Sequence, residues 1–111
     1  MRRATLALLS ALAVGAGALA PAASGGAAAA ASHTVTLREF RFHPGNLTIR
    51  RGDSVTWVWR DQSEHNVTFQ NMRSRTQVHG TYTVRFMRSG TFNYRCTIHL
   101  AEGMRGRIIV R

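Results

Sequence analysis

The sequence predicts an all-β fold, an antiparallel sandwich or barrel that forms a single domain. Short segments in which apolar and polar residues alternate recur from residue 33 to the C-terminus. Turn-forming residues separate these segments about every eight to twelve positions, and no stretch has the periodicity of a helix. The chain has 111 residues, a length that suits one domain of this class.

The predicted strands follow from this alternation. In the first, Val35 and Leu37 are continued by Phe40 and Phe42 up to a turn at residues 43–45. Further alternating segments cover residues 47–50, 55–60, 65–69, 82–86, 90–95 and 105–110. Turn residues divide most of them, and β-branched and aromatic side chains are frequent within them. We therefore expect about seven strands.

The first 31 residues are predicted to be an export leader followed by an Ala/Gly linker. Met1-Arg2-Arg3 precedes an apolar run from Ala4 to Ala20, as in a secretory signal, and small residues after it offer several cleavage sites. Two alternatives are an uncleaved anchor, for which the run is short and weakly hydrophobic, and twin-arginine export of a folded protein. We expect residues 32–111 to form an exported domain, secreted, periplasmic or held at the cell envelope, with no stable membrane insertion.

The charge of the chain is strongly positive. It carries fifteen basic residues, all of them arginine, against five acidic ones, a net charge of +10 at pH 7. Such a balance favours acidic protein partners or anionic envelope polymers. The arginines are scattered over predicted strands instead of being clustered on one helix, which argues against nucleic acid as a partner. We expect a monomer with acidic protein partners.

One short segment concentrates metal-binding side chains. Cys96, His99 and Met104 follow the pattern C-x2-H-x4-M between two predicted strands, so three ligands are held in a loop fixed at both ends. Cys96 is the only cysteine, and a single cysteine in an exported chain forms no internal disulfide. Its neighbours favour a metal ligand over a buried inert residue or a free reactive thiol.

A fourth ligand is expected from elsewhere in the sheet. Of the remaining histidines, His65 is the best candidate because it joins a polar loop to a strand that can pair beside Cys96. His33, His43 and His79 are predicted to be solvated histidines at the domain's start or in turns. One thiolate, two imidazoles and one thioether match the trigonal site with a weak axial methionine that blue-copper proteins use. Zinc prefers four strong ligands, and non-haem iron prefers a carboxylate.

From Phe42 to Val110 the chain resembles the cupredoxins, particularly plastocyanin, pseudoazurin and amicyanin. The shared motifs are F-x-P-x-x-L-x-I-x-x-G-D from Phe42, V-x-W from Val55, H-N-V from His65 and G-T-F-x-Y-x-C-x-x-H-x-x-x-G-M-x-G-x-I-x-V from Gly90. The resemblance implies a Greek-key sandwich that transfers single electrons through one copper ion, held by four ligands: His65, Cys96, His99 and Met104. It also implies that Asn66 joins the two ligand loops and donates its backbone N–H to the Cys96 sulfur.

Three positions depart from the usual pattern of these proteins. Arg95 precedes the cysteine where plastocyanins often have an aromatic residue, Ile98 replaces a common proline, and Glu64 stands beside the first ligand. These changes leave the ligand set intact but put a photosynthetic partner in doubt.

Three other functions are possible for a chain with this pattern. A copper carrier or buffer would usually present clustered donors at its surface, and Met72 and Met87 have no spacing that joins them to the site. A copper enzyme needs a second copper site, typically with H-x-H pairs, which the chain lacks. In a metal-free adhesive sandwich, Cys96 and Met104 would be ordinary core residues. We therefore expect an electron carrier and no enzyme activity.

Overall fold

A computed structural model describes residues 29–111. The leader predicted for residues 1–31 lies almost entirely outside this part of the chain. The described residues form seven strands: β1 (Ser32–Arg38), β2 (Arg41–His43), β3 (Asn46–Ile49), β4 (Ser54–Trp59), β5 (Thr81–Arg85), β6 (Gly90–Arg95) and β7 (Arg105–Val110). Residues 29–111 include no helix able to cross a membrane.

The strands form two sheets, which confirms the predicted all-β sandwich. One sheet has the order β2-β1-β4-β5 and the other the order β3-β7-β6. The sheets are mixed and not purely antiparallel, because β1 pairs with β4 and β3 pairs with β7 in parallel. A parallel pair needs a long crossover connection. Alternation along a strand predicts which face is buried and carries no information about a neighbour's direction, so the sequence did not predict these two pairings.

Aromatic side chains connect the two sheets through the core. Trp57 on β4 is fully buried, and its ring meets that of Tyr94 on β6 edge-to-face at a centroid distance of 5.3 Å. Gly106 on β7 lies opposite Tyr94 in the β6–β7 register, and a Cβ at this glycine would overlap the Tyr94 ring. Close approach of an aromatic ring to the backbone therefore requires glycine at position 106.

The predicted first segment is in fact a hairpin. Glu39 and Phe40 form a two-residue turn between β1 and β2, and both have a φ of 56°. Turns of this kind usually contain asparagine or glycine, so nothing in the residue types signals one here. The turn is visible only in the alternation of buried residues. Buried positions have odd numbers up to Leu37 and an even number at Phe42, so the alternation is interrupted between them. Phe40 leaves the sheet and is exposed.

The start of the domain is fixed by Asp53. Its buried carboxylate accepts hydrogen bonds from the backbone N–H groups of Ala31, at 2.9 Å, and Arg50, at 3.1 Å, and lies 3.0 Å from Nε2 of His33. These hydrogen bonds, that of Ala31 foremost, lower the pKa of Asp53 to about 2. His33, predicted to be solvated, is only partly exposed, because β1 pairs with β4 from Ser32 onward and sets this ring against Asp53.

Candidate metal centre

Three of the predicted ligands converge at one end of the sandwich. The Nδ1 atoms of His65 and His99 lie 3.2 Å apart, and the Sγ of Cys96 lies 3.5 Å from Nδ1 of His99. All three ligand atoms are within 4.8 Å of one another. His65 and Cys96 are fully buried, whereas His99 is partly exposed. One thiol and two imidazoles thus converge on a single position, and His99 is the side of this position that is open to solvent.

The loop after β6 is closed by its own backbone. Cys96 follows the last residue of β6, and its N–H donates to the carbonyl of Met104 at 3.0 Å. Two further bonds tighten the loop, from the N–H of His99 to the carbonyl of Cys96 at 3.3 Å and from the N–H of Met104 to the carbonyl of His99 at 3.2 Å. Gly103 supplies the left-handed backbone, at φ 78°, that the last turn requires.

Met104 lies in the buried core at the end of this loop. Its side chain has no exposed surface and belongs to the same apolar cluster as Cys96. Its backbone bonds to Cys96 and His99 hold it beside both residues. The role of its sulfur as a fourth ligand stays a prediction.

His65 reaches the site from the segment that precedes β5. This segment is irregular, but Thr68 exchanges two backbone hydrogen bonds with Arg95, at 2.8 and 3.0 Å, so it pairs beside the end of β6 as predicted. The indole N–H of Trp59 donates to the carbonyl of His65 at 2.9 Å. These contacts place the His65 ring next to the Cys96 loop.

Asp61 contacts His65 and was not predicted as part of the site. Its Oδ1 lies 3.1 Å from Nε2 of His65, and its carboxylate also accepts the N–H groups of Ser63 and Glu39. Burial opposes ionisation of Asp61, but the hydrogen bonds from Ser63 and Glu39 and the nearby His65 lower its pKa overall. The only sequence signal was a carboxylate four residues before a histidine.

The ring of His65 is set to offer Nδ1 to a metal. Burial, above all, lowers the pKa of His65, the charge of Asp61 opposes this effect, and His99 adds to it. The ionised Asp61 accepts the Nε2 proton, so the lone pair of Nδ1 points toward Cys96 and His99. A carboxylate that orients a histidine in this way is typical of metal sites.

Asn66 connects the two ligand segments. Its backbone N–H lies 3.5 Å from the Cys96 sulfur. Its side-chain amide donates to the hydroxyls of Thr97 at 2.9 Å and Thr76 at 3.0 Å, and its Oδ1 accepts from the Thr97 N–H at 3.0 Å and the Thr68 hydroxyl at 2.8 Å. These contacts join the segment of His65 to that of Cys96, and the effect of Asn66 on a bound ion stays a prediction.

The surface around His99 is apolar. Ile98 and Leu100 are exposed on either side of it, and Phe40, at the tip of the β1–β2 turn, packs against the His99 ring at a centroid distance of 4.6 Å. Phe40 was predicted as a strand residue and emerges here as part of the site's rim.

The donor set fits copper. Thiolate and imidazole are strong ligands for copper, and a thioether is a weak ligand that suits its reduced state. Within residues 29–111, His65, Cys96 and His99 are the group of side chains that converges in this way, and no carboxylate joins them as a further ligand. Such a set differs from the carboxylate-containing sites of non-haem iron and from four-ligand structural zinc.

Comparison with known proteins supports this assignment. The family model "Copper binding proteins, plastocyanin/azurin family" matches residues 29–111. The chain is 31% identical to chloroplastic plastocyanin of Tetradesmus obliquus over 63% of its length, and 32% identical to amicyanin of Paracoccus denitrificans over 68% of its length. It spans 58% and 63% of the lengths of these two relatives.

Solved structures give the same result. An oxidized variant of amicyanin matches with a TM-score of 0.65 and 27% identity, covering 70% of this chain and 80% of that one. The fold, the converging ligands and the family match agree. The chain belongs to the plastocyanin/azurin family of copper-binding proteins, the cupredoxins, which bind one copper ion and transfer electrons.

Proposed function

We propose that this chain is an exported type 1 copper protein that carries single electrons between redox partner proteins and has no enzyme activity. The observation that carries the proposal is the convergence of the His65 and His99 Nδ1 atoms with the Cys96 sulfur within 4.8 Å. In its reduced and oxidised forms a bound copper ion would supply the one-electron change. The protein's part is to hold the ligands still during that change.

Four residues would hold the copper. His65, Cys96 and His99 would be the three strong ligands, and the thioether of Met104 would be a weak fourth ligand. Three features support rigidity: burial of His65, Cys96 and Met104, the backbone closure of the loop, and the Asn66 hydrogen bonds. A site built on braced elements resists the change of geometry that the two oxidation states otherwise favour.

Electrons would pass through the exposed edge of His99. The ring is partly exposed and is bordered by the apolar side chains of Phe40, Ile98 and Leu100. An apolar rim lets a partner exclude water and bring its own redox centre close to the ring. The proposed docking surface consists of these three side chains around His99.

The partner is proposed to be an acidic protein, and this chain to act as a monomer. Arg38 is the arginine that pairs with a carboxylate within residues 29–111, and the other arginines of this part have no acidic partner there. Their uncompensated charge would accelerate encounter with an acidic surface. Export is proposed from the sequence pattern of residues 1–31 alone.

The test is the visible spectrum of residues 32–111 loaded with copper(II). We expect an intense orange-red absorption band that bleaches on reduction and returns on oxidation. Cys96→Ser should lose the band, and Met104→Leu should keep it with a changed reduction potential. A colourless protein that binds copper and releases it to a chelator within seconds would instead be a copper carrier. A protein that binds no copper would refute both functions.

A further inference from the structure

The contacts of Asp61 extend beyond its own loop. One carboxylate reaches the Nε2 of His65 at 3.1 Å through Oδ1 and the N–H of Glu39 at 2.9 Å through Oδ2. Glu39 begins the two-residue turn that carries Phe40. Asp61 is thus bonded both to a proposed copper ligand and to the turn whose aromatic ring lies on the other histidine.

The turn held by Asp61 is conformationally costly. Both Glu39 and Phe40 have a φ of 56°, a left-handed conformation that is unfavourable for residues other than glycine. The Phe40 ring lies 4.6 Å from the His99 ring and 6.2 Å from the His65 ring, measured between centroids. The unfavourable turn thus places the Phe40 ring against both histidines of the site. We infer that the turn helps to position these histidines in addition to reversing the chain.

The chemical effect of Asp61 on His65 has a definite sign. An anionic acceptor at Nε2 increases the electron density of the imidazole and makes Nδ1 a stronger donor. A stronger donor stabilises the more highly charged copper(II) ion in preference to copper(I). Asp61 therefore favours the oxidised state.

We propose that Asp61 is a positioning residue that fixes the Nδ1-binding orientation of His65 and lowers the reduction potential of the site. The inference rests on the proposed function, because a potential exists only if the site holds copper. It concerns this chain's own carboxylate, which the resemblance to other proteins of the family did not indicate.

The chain offers a matched control for the charge of Asp61. Glu64 is adjacent to His65 in sequence, carries the same charge and is exposed, and it forms no hydrogen bond to the ligands of the described site. Asp61→Asn removes the charge and keeps one amide oxygen, which can accept the Ser63 N–H, as Oδ1 does, or the Glu39 N–H, as Oδ2 does, but not both. Glu64→Gln removes a charge at a similar place in the chain without touching the ring, so the pair separates direct contact from distant charge.

The first measurement is the reduction potential of the copper-loaded wild type, D61N, E64Q and Asp61→Glu. At a fixed poise we expect D61N to change the copper(II)/copper(I) ratio by about tenfold toward copper(I), a shift of about +59 mV for one electron. E64Q should shift by less than half as much, and Asp61→Glu should stay close to the wild type. Equal shifts in D61N and E64Q, or none in D61N, would overturn the inference.

The second measurement needs no copper. Nitrogen-15 NMR of the copper-free protein reports which nitrogen of His65 carries the proton, and we expect the Nε2–H form in the wild type and a mixture in Asp61→Ala. An unchanged tautomer in that variant, or a D61N protein that does not fold, would show that Asp61 is a structural residue only. A wild type that forms no coloured site refutes the proposed function, whereas a coloured wild type with an unshifted D61N refutes only this inference.

Discussion

Removing the side chain of Asn66 tests the view that hydrogen bonds, and not copper alone, join the two ligand segments. Asn66→Ala deletes the four side-chain bonds to Thr68, Thr76 and Thr97 and leaves the backbone N–H near the Cys96 sulfur. A typical bond contributes roughly 0.5–1.5 kcal/mol, and neighbouring bonds are not additive, so we expect a loss of about 3 kcal/mol. For a domain of this size that corresponds to a fall in Tm of about 12–24 °C.

The assay is thermal unfolding of the copper-free protein, followed by near-ultraviolet circular dichroism with a reductant present to protect Cys96. Asn71→Ala is the control, since Asn71 is exposed in the same loop and its side chain forms no hydrogen bond within the described residues. It should change the Tm by only a few degrees. An Asn66→Ala protein that unfolds within about 4 °C of the wild type, or that is destabilised only when copper is bound, would refute the reasoning.

Three further predictions concern the scaffold and the surface. Gly106→Ala should lower the free energy of unfolding, measured by urea titration, by about 1–3 kcal/mol, because the added Cβ overlaps Tyr94. The control is Gly45→Ala, which should lower it far less because a Cβ there meets no close neighbour. Because the pKa of Asp53 is lowered to about 2, from about 3.9 in an unfolded chain, its contribution to stability is complete above about pH 4 and is lost as the pH falls toward 2. Urea titrations from pH 6 to 2 should therefore show a shallower acid loss in Asp53→Asn than in the control Glu102→Gln, and equal slopes would contradict this account. Finally, electron transfer to an acidic redox protein should slow as salt rises, and a rate that does not depend on ionic strength would exclude charge steering by the arginines.

The strands were predictable because burial alternates along them. Val55, Trp57 and Trp59 share one face in the sequence and are all buried in the structure. The loop that holds Cys96 and His99 was predictable for a related reason, since both ends lie in strands that the sequence marks clearly. Local patterns were sufficient wherever neighbouring residues in the chain are also neighbours in space.

The remaining features depend on contacts between distant segments. Asp61 is recognisable as a partner of His65 and of the Glu39 turn only after the hairpin and the loop have been brought together. His33 was interpreted as solvated because nothing local shows that Asp53 lies beside it. The parallel pairings of β1 with β4 and of β3 with β7 could not be predicted for the same reason, because each joins strands that are far apart in the chain.

The place of β7 in its sheet constrains how the protein can be made. It is the middle strand of β3-β7-β6 and the last of the seven in chain order. Neither β3 nor β6 has its partner in this sheet until residues 105–110 are available. A chain emerging N-terminus first exposes Cys96 before the strand that closes its loop exists. During that interval the thiol is open to oxidation, which the finished fold prevents by burying it. The yield of protein with an intact thiol would then depend on how quickly residues 105–110 become available to pair after Cys96 has emerged.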